Sequence, residues 1–187
     1  MSHSRSLIGS AVVPLRLVFL MWLTFSLEIF LQIDLGYLGI KPRSFDGLLG
    51  ILMAPMIHGS LSHLISNTYP VLFLGTVLFY FYPRIGSVVF LRSYLITNIL
   101  VWLLSPRPSY HIGASGLVYG LSAFLMFFGF LRQDFMSLLI SIVIVVSYGG
   151  IFYGVLPLDE RISWESHLAG AIVGTITAFD FSNRNRV

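Results

Sequence analysis

Six apolar runs divide this sequence, roughly Val12 to Ile33, Leu61 to Tyr82, Gly86 to Leu104, Ser115 to Leu131, Phe135 to Leu156 and Trp164 to Phe181. A helix needs about 20 mainly apolar residues to cross the hydrocarbon core of a bilayer, and each run approaches or reaches that length. The expected fold class is therefore an all-α membrane protein, a six-transmembrane-helix bundle. Composition agrees: 56% of the 187 residues are hydrophobic and only 10% are charged, with a mean hydropathy of +0.86, outside the range of soluble domains. A net charge of +3 raises the question of nucleic acid. The basic residues are scattered singly between apolar runs and form no stripe, so the expected partner is the lipid bilayer and not nucleic acid. With no cysteine, disulfides, thiolate catalysis and thiolate metal sites are excluded.

The connections hold the breakers and charges: Asp34 to Gly50, Pro83-Arg84, Ser105 to Ile112 with Pro106 and Pro108, Arg132 to Asp134, and Pro157 to Ser163. An even number of spans puts both termini on one side. That side holds Arg5, Arg16, Arg84, Arg132, Arg184 and Arg186 against Asp134 and Asp180. The other holds Lys41, Arg43, Arg107 and Arg161 against Asp34, Asp46, Asp159, Glu160 and Glu165, leaving Arg92 and Glu28 within spans. Basic excess marks the cytoplasmic side, so both termini are expected there, in a bacterial inner membrane. Glu28 interrupts the first run and no small-residue cleavage site follows, so that run is expected to be a span and not a removable signal. The domain expectation is a short cytoplasmic tail over 1–11, one six-span domain over 12–181 and a second tail over 182–187. The long first loop, with Gly36, Gly39, Gly47 and Gly50 among apolar residues, is too greasy for a plain linker and is expected to be partly embedded in the membrane, against the helices.

Polar groups inside spans are costly, and they gather near the outer ends of three helices. In HGSLSHLISN, His63 and Asn67 stand one turn apart on the second span, with His58 just before it. In GASGLVYG, Ser115 and Tyr119 share a face of the fourth span, beside the small pair Gly116 and Gly120. In SHLAGAIVG, His167, Gly170 and Gly174 line one face of the sixth. Small residues at that spacing let backbones approach closely in lipid, so packing the fourth span on the sixth brings His167 toward Ser115. A serine within reach of a neutral imidazole is an activated nucleophile. The Asn67 amide, the His63 ring and the Ser115 backbone N–H at a helix start are the kinds of donor a developing oxyanion needs. Each residue alone has a plainer reading: GASG as helix packing, His167 as a packed histidine, Asn67 as an interhelical bond, Tyr119 as a core aromatic, His58 as a loop anchor, Glu28 as a cap for the first loop, His111 as loop decoration.

Competing hydrolase patterns fail on the text. A soluble nucleophile elbow requires glycine where Leu117 stands. There is no H-E-x-x-H, and His58 and His63 are not spaced as i, i+4 metal ligands. No pair of intramembrane aspartates occurs. No metal and no cofactor are expected.

The three ordered motifs, HGSLSHLISN, GASGLVYG and HLAGAIVG, resemble those of the rhomboid intramembrane serine proteases, and the likeness runs from the first span to the carboxyl tail. The resemblance implies a rhomboid-like bundle in which Ser115 is the nucleophile and His167 the general base and acid, a dyad without an aspartate. It implies that His63, Asn67 and the Ser115 N–H stabilise the oxyanion, that Tyr119 packs on the His167 ring, and that His58, Gly113, Gly116, Gly170 and Gly174 support the site. It further implies a fourth helix starting below the outer surface, reached by water through a cavity, with the first loop and fifth span framing substrate entry. One departure concerns that loop: many members carry a Trp-Arg pair about eight residues before the first histidine, where this sequence reads Leu49-Gly50.

The resulting expectation is a serine endopeptidase that cleaves transmembrane protein substrates near their extracytoplasmic end, with activity declining as pH falls through the histidine range near 6.5. The alternatives are a non-proteolytic relative that binds transmembrane helices, and a small channel or carrier, which leaves the three motifs unexplained. Oligomeric state is not legible in the sequence.

Overall fold

A computed structural model gives the fold of residues 6–157 and 163–184. Most of the expected connection between Pro157 and Ser163, with Asp159, Glu160 and Arg161 of the charge tally, lies outside the described residues, as do Arg5, Arg186 and the ends of both tails. The described residues form six long helices: α1 (Leu7–Leu31), α2 (Leu61–Phe81), α3 (Gly86–Leu104), α4 (Ser115–Arg132), α5 (Phe135–Tyr148) and α6 (Trp164–Arg184). The first four are long and apolar enough to cross a membrane. At 1.5 Å per residue α5 reaches only about 21 Å, and the 3-10 turns Gly149–Val155 continue it. The α6 helix has the length to span, but Glu165, His167 and Asp180 lower its mean hydropathy.

Helix ends follow local chemistry. Ser60 caps α2, its hydroxyl accepting from the His63 N–H at 3.1 Å, and Asp134 caps α5 by accepting from Ser137 N–H at 2.9 Å. Gln32 and Gln133 take left-handed φ values of 54° and 60° and end α1 and α4. From the last turn of α1, Glu28 accepts from the Leu35 N–H of the first loop at 2.8 Å, the capping role expected of it. On the lipid side large apolar groups stand exposed, Phe30 at 83% and Val146 at 81%.

The core sits around α4, whose span window is 72% buried against 22 to 39% for α1, α2 and α3. Met21, Leu64, Leu74, Phe124 and Phe128 form its centre, and α4 packs most extensively on α6. Glycines set that spacing: a side chain at Gly170 would strike the Gly116 carbonyl, and one at Gly174 the Gly120 carbonyl. On its other flank α4 meets α3, where the ladder slips into a π-turn over Arg92–Ile96. That slip places Ser93 against Gly120 and Thr97 against Gly116.

The first loop lies against α3. Tyr94, Asn98 and Trp102, spaced by four on one face of α3, donate to the carbonyls of Leu52, Ile51 and Ser44 at 2.5, 2.9 and 2.9 Å. In return the Arg43 guanidinium donates to the carbonyls of Leu103 and Ser105 at 3.4 and 2.6 Å, capping the end of α3. This is how the loop is anchored where the Trp-Arg pair is missing: the arginine stands at Arg43, and the tryptophan comes from the facing helix.

Candidate active site

The amino-terminal ends of α2, α4 and α6 converge on a cavity of about 620 Å³ whose wall includes His63, Asn67, Arg107, Ser115, Tyr119 and His167. Each helix start presents N–H groups without intrahelical partners and the positive end of its dipole. Three such ends around one cavity favour negative charge there.

Ser115 opens α4. The segment before it, Ser105 to Ile112, is not helical and is tied to the first loop by an antiparallel bridge between Ile40 and His111, with hydrogen bonds of 2.9 and 2.8 Å. Gly113 then turns the chain with φ +104°, a conformation that favours glycine. A side chain there would also collide with the His63 ring, about 2.6 Å from where its Cβ would stand. Glycine thus lets the chain drop to Ser115 past the histidine.

The Nε2 of His167 lies 2.9 Å from Ser115 Oγ. On the other side of the ring, Nδ1 lies 2.9 Å from the Gly154 carbonyl oxygen, which only accepts. That carbonyl fixes the tautomer: Nδ1 carries the proton and donates it, leaving Nε2 bare to accept from the serine. Tyr119 stacks on the imidazole with centroids 4.0 Å apart and planes 8° from parallel. His167 is 8% exposed and Ser115 is half-buried.

His63 and Asn67 face the same cavity. Asn67 is buried and its Nδ2 donates to its own helix at the His63 carbonyl, 2.9 Å away, leaving one amide hydrogen for the cavity. His58 stands behind His63 rather than in the wall, with ring centroids 4.9 Å apart. Its Nδ1 lies 3.4 Å from the Met56 carbonyl and its Nε2 is buried without a partner. Burial, and next the nearby His63, hold the His58 pKa down to about 4.

The expectation for His111 is corrected. It is 4% exposed and hydrogen-bonds through Nε2 to Ser105 Oγ at 2.9 Å and through Nδ1 to Ser163 Oγ at 2.6 Å. Three other features were not read from the sequence. The Gly154 carbonyl is a backbone group and carries no sequence signal. The Arg107–Glu165 ion pair joins residues 58 apart. The Tyr94, Asn98 and Trp102 row was visible as polar and amphipathic residues at helical spacing. Among the described residues no cluster of three or more metal-ligating side chains occurs.

A family profile for the Rhomboid domain matches residues 46–184. The chain belongs to the rhomboid family. Uncharacterized proteins of Mycobacterium tuberculosis and Mycobacterium bovis are each 33% identical to it over 164 residues, covering 79% of this chain and 65% of theirs. An uncharacterized protein of Mycobacterium leprae is 33% identical over 165 residues, covering 79% and 62%. The matched stretch therefore spans just under two thirds of those relatives. The rhomboid profile begins inside the first loop and takes in all three polar motifs, while α1 precedes it. This rhomboid is a multi-pass membrane protein.

Proposed function

We propose that this rhomboid is an intramembrane serine endopeptidase that cuts transmembrane segments of membrane proteins near their extracytoplasmic end. The observation that carries the reading is the 2.9 Å contact between His167 Nε2 and Ser115 Oγ, with the opposite ring nitrogen held by a carbonyl. Nothing in helix packing calls for a serine and a tautomer-fixed histidine at the wall of a polar cavity.

In the proposed reaction Ser115 Oγ attacks the scissile carbonyl carbon while His167 Nε2 takes the hydroxyl proton. The oxyanion that forms faces the Ser115 N–H, the free amide hydrogen of Asn67 and the His63 ring, at the meeting point of three positive helix ends. As the C–N bond breaks, His167 returns the proton to the departing amine. Water entering the cavity then loses a proton to His167 as its oxygen attacks the ester carbon, and His167 returns that proton to Ser115 Oγ as the bond to the acyl carbon breaks. The Gly154 carbonyl and the Tyr119 ring do the orienting work that an aspartate does in a triad, and the imidazolium that forms donates to that carbonyl through Nδ1. Since catalysis needs a neutral imidazole, activity falls as pH drops through the range in which His167 takes a proton.

The same reading includes six spans, both termini in the cytoplasm of a bacterium, and substrates with small residues at the cut. Reconstitution into liposomes with single-span reporter substrates tests it. Fragments cut within or beside the span by wild type, and absent with Ser115→Ala, are expected. A wild type that binds the reporters without cutting them would replace this reading by the helix-binding one.

A further inference from the structure

The first turn of α6 is held from outside the dyad by a buried polar cluster. Arg107 donates through Nε to Glu165 Oε1 at 2.6 Å, and its Nη2 is paired with Glu165 Oε2. Glu165 is 7% exposed, and Ser105 Oγ lies 3.5 Å from its Oε1 and 2.9 Å from His111 Nε2. The other His111 nitrogen reaches Ser163 Oγ at 2.6 Å, and that hydroxyl lies 2.7 Å from Ser166 Oγ. The Ser163 carbonyl in turn accepts from the backbone N–H of His167 at 3.3 Å. A continuous chain of hydrogen bonds thus runs from the segment that leads into Ser115 to the backbone of His167.

The helix phase explains why this matters. Glu165 and His167 are two positions apart, so they leave α6 on roughly opposite sides, about 200° around its axis. Glu165 is pinned to the 105–111 segment while His167 reaches for Ser115. Deeper in the bundle Gly170 and Gly174 fix how closely α6 approaches α4; a close approach sets the distance between the axes and leaves the roll of α6 to its other contacts. A roll of roughly 10° moves a ring nitrogen about 6 Å from the helix axis by about 1 Å, and a misplacement of that size costs on the order of 100-fold in rate.

We propose that Arg107, Glu165, His111 and Ser163 are positioning residues: together they set the roll of α6 and so the reach of His167 to Ser115. This rests on Ser115 and His167 being the dyad. The cluster also joins the first loop, through the Ile40–His111 bridge and through Arg43, which donates to the Ser105 carbonyl at 2.6 Å. The first loop is therefore tied to the same cluster.

The test uses Arg107→Ala, Glu165→Ala and the double variant, with Glu165→Gln as the conservative one. A fluorophosphonate probe gives the maximal labelling rate and the half-saturating concentration separately. Each alanine variant should lower the maximal rate at least tenfold with half-saturation within about threefold of wild type. The double variant should be no slower than the slower single, because both remove one contact, and Glu165→Gln, which keeps an acceptor for Arg107, should recover part of the rate. Unchanged rates, losses that multiply, effects on half-saturation alone, or losses that only follow the folded fraction would overturn the proposal.

A second readout is independent of chemistry. The chain has no cysteine, so spin labels on cysteines placed at Leu104 and Ile172, which flank a cleft between α3 and α6, report on α6 without background. Their distance distribution should broaden in Glu165→Ala. An unlabelled wild type would refute the dyad, and the spin labels then judge the cluster alone: no broadening overturns it.

Discussion

Replacing Gly170 by alanine should separate the proposed nucleophile from its base. The added Cβ would stand 3.0 Å from the Gly116 carbonyl carbon and 3.1 Å from Gly120 N, with the Gly116 oxygen closer still. Carbon and carbonyl oxygen settle at about 3.3 to 3.6 Å even when they attract, and backbone on both helices leaves no flexible group to yield. The helices must part by about 1 Å, and a 2.9 Å hydrogen bond between Ser115 and His167 would open toward roughly 4 Å, beyond useful range. Overpacking of this kind costs about 1 to 3 kcal/mol, and the misplaced base about 100-fold in rate. The assay is fluorophosphonate labelling of folded protein in detergent, with thermal unfolding alongside. Gly9→Ala is the control: its Cβ meets only Ser6 Cβ at 3.9 Å, so labelling should be unchanged. Wild-type labelling and melting in Gly170→Ala would refute the argument that backbone contact at Gly170 sets the dyad distance.

Tyr119→Phe keeps the ring stacked on His167 and should label within about twofold of wild type, whereas Tyr119→Ala should lose tenfold or more. Gly154→Ala would drive its Cβ into the Tyr119 hydroxyl; labelling should fall as the carbonyl that holds His167 Nδ1 is displaced, and melting should fall too, by an overpacking cost of about 1 to 3 kcal/mol. His58 is kept neutral by burial, so its contribution to stability is whole above its ordinary value of 6.5 and is lost as pH falls from there toward about 4, by up to about 3 kcal/mol. His58→Phe should flatten the fall in melting temperature over that range.

The motifs of α2, α4 and α6 were legible because lipid makes intramembrane polar groups conspicuous, and the helix starts at Leu61, Ser115 and Trp164 fell where the apolar runs and their flanking breakers indicated. The extent of the fifth helix was not: its apolar run to Leu156 continues past Tyr148, where Gly149 and Gly150 let the chain tighten into 3-10 turns. Expectations for His111 failed because its burial comes from partners 6 and 52 residues away, which no local pattern encodes. The loop anchor was hidden for the same reason, since Trp102 and Arg43 act across the gap between a helix and a loop. Gly154 works through its carbonyl, a group every residue possesses, so only the fold reveals it.

The most direct measurement is mass-spectrometric mapping of a fluorophosphonate adduct on the purified protein, comparing wild type with Ser115→Ala and His167→Ala. The account predicts one adduct, on Ser115, absent from the first variant and strongly reduced in the second. Folded wild type that takes no label, or takes it on another serine, would contradict it.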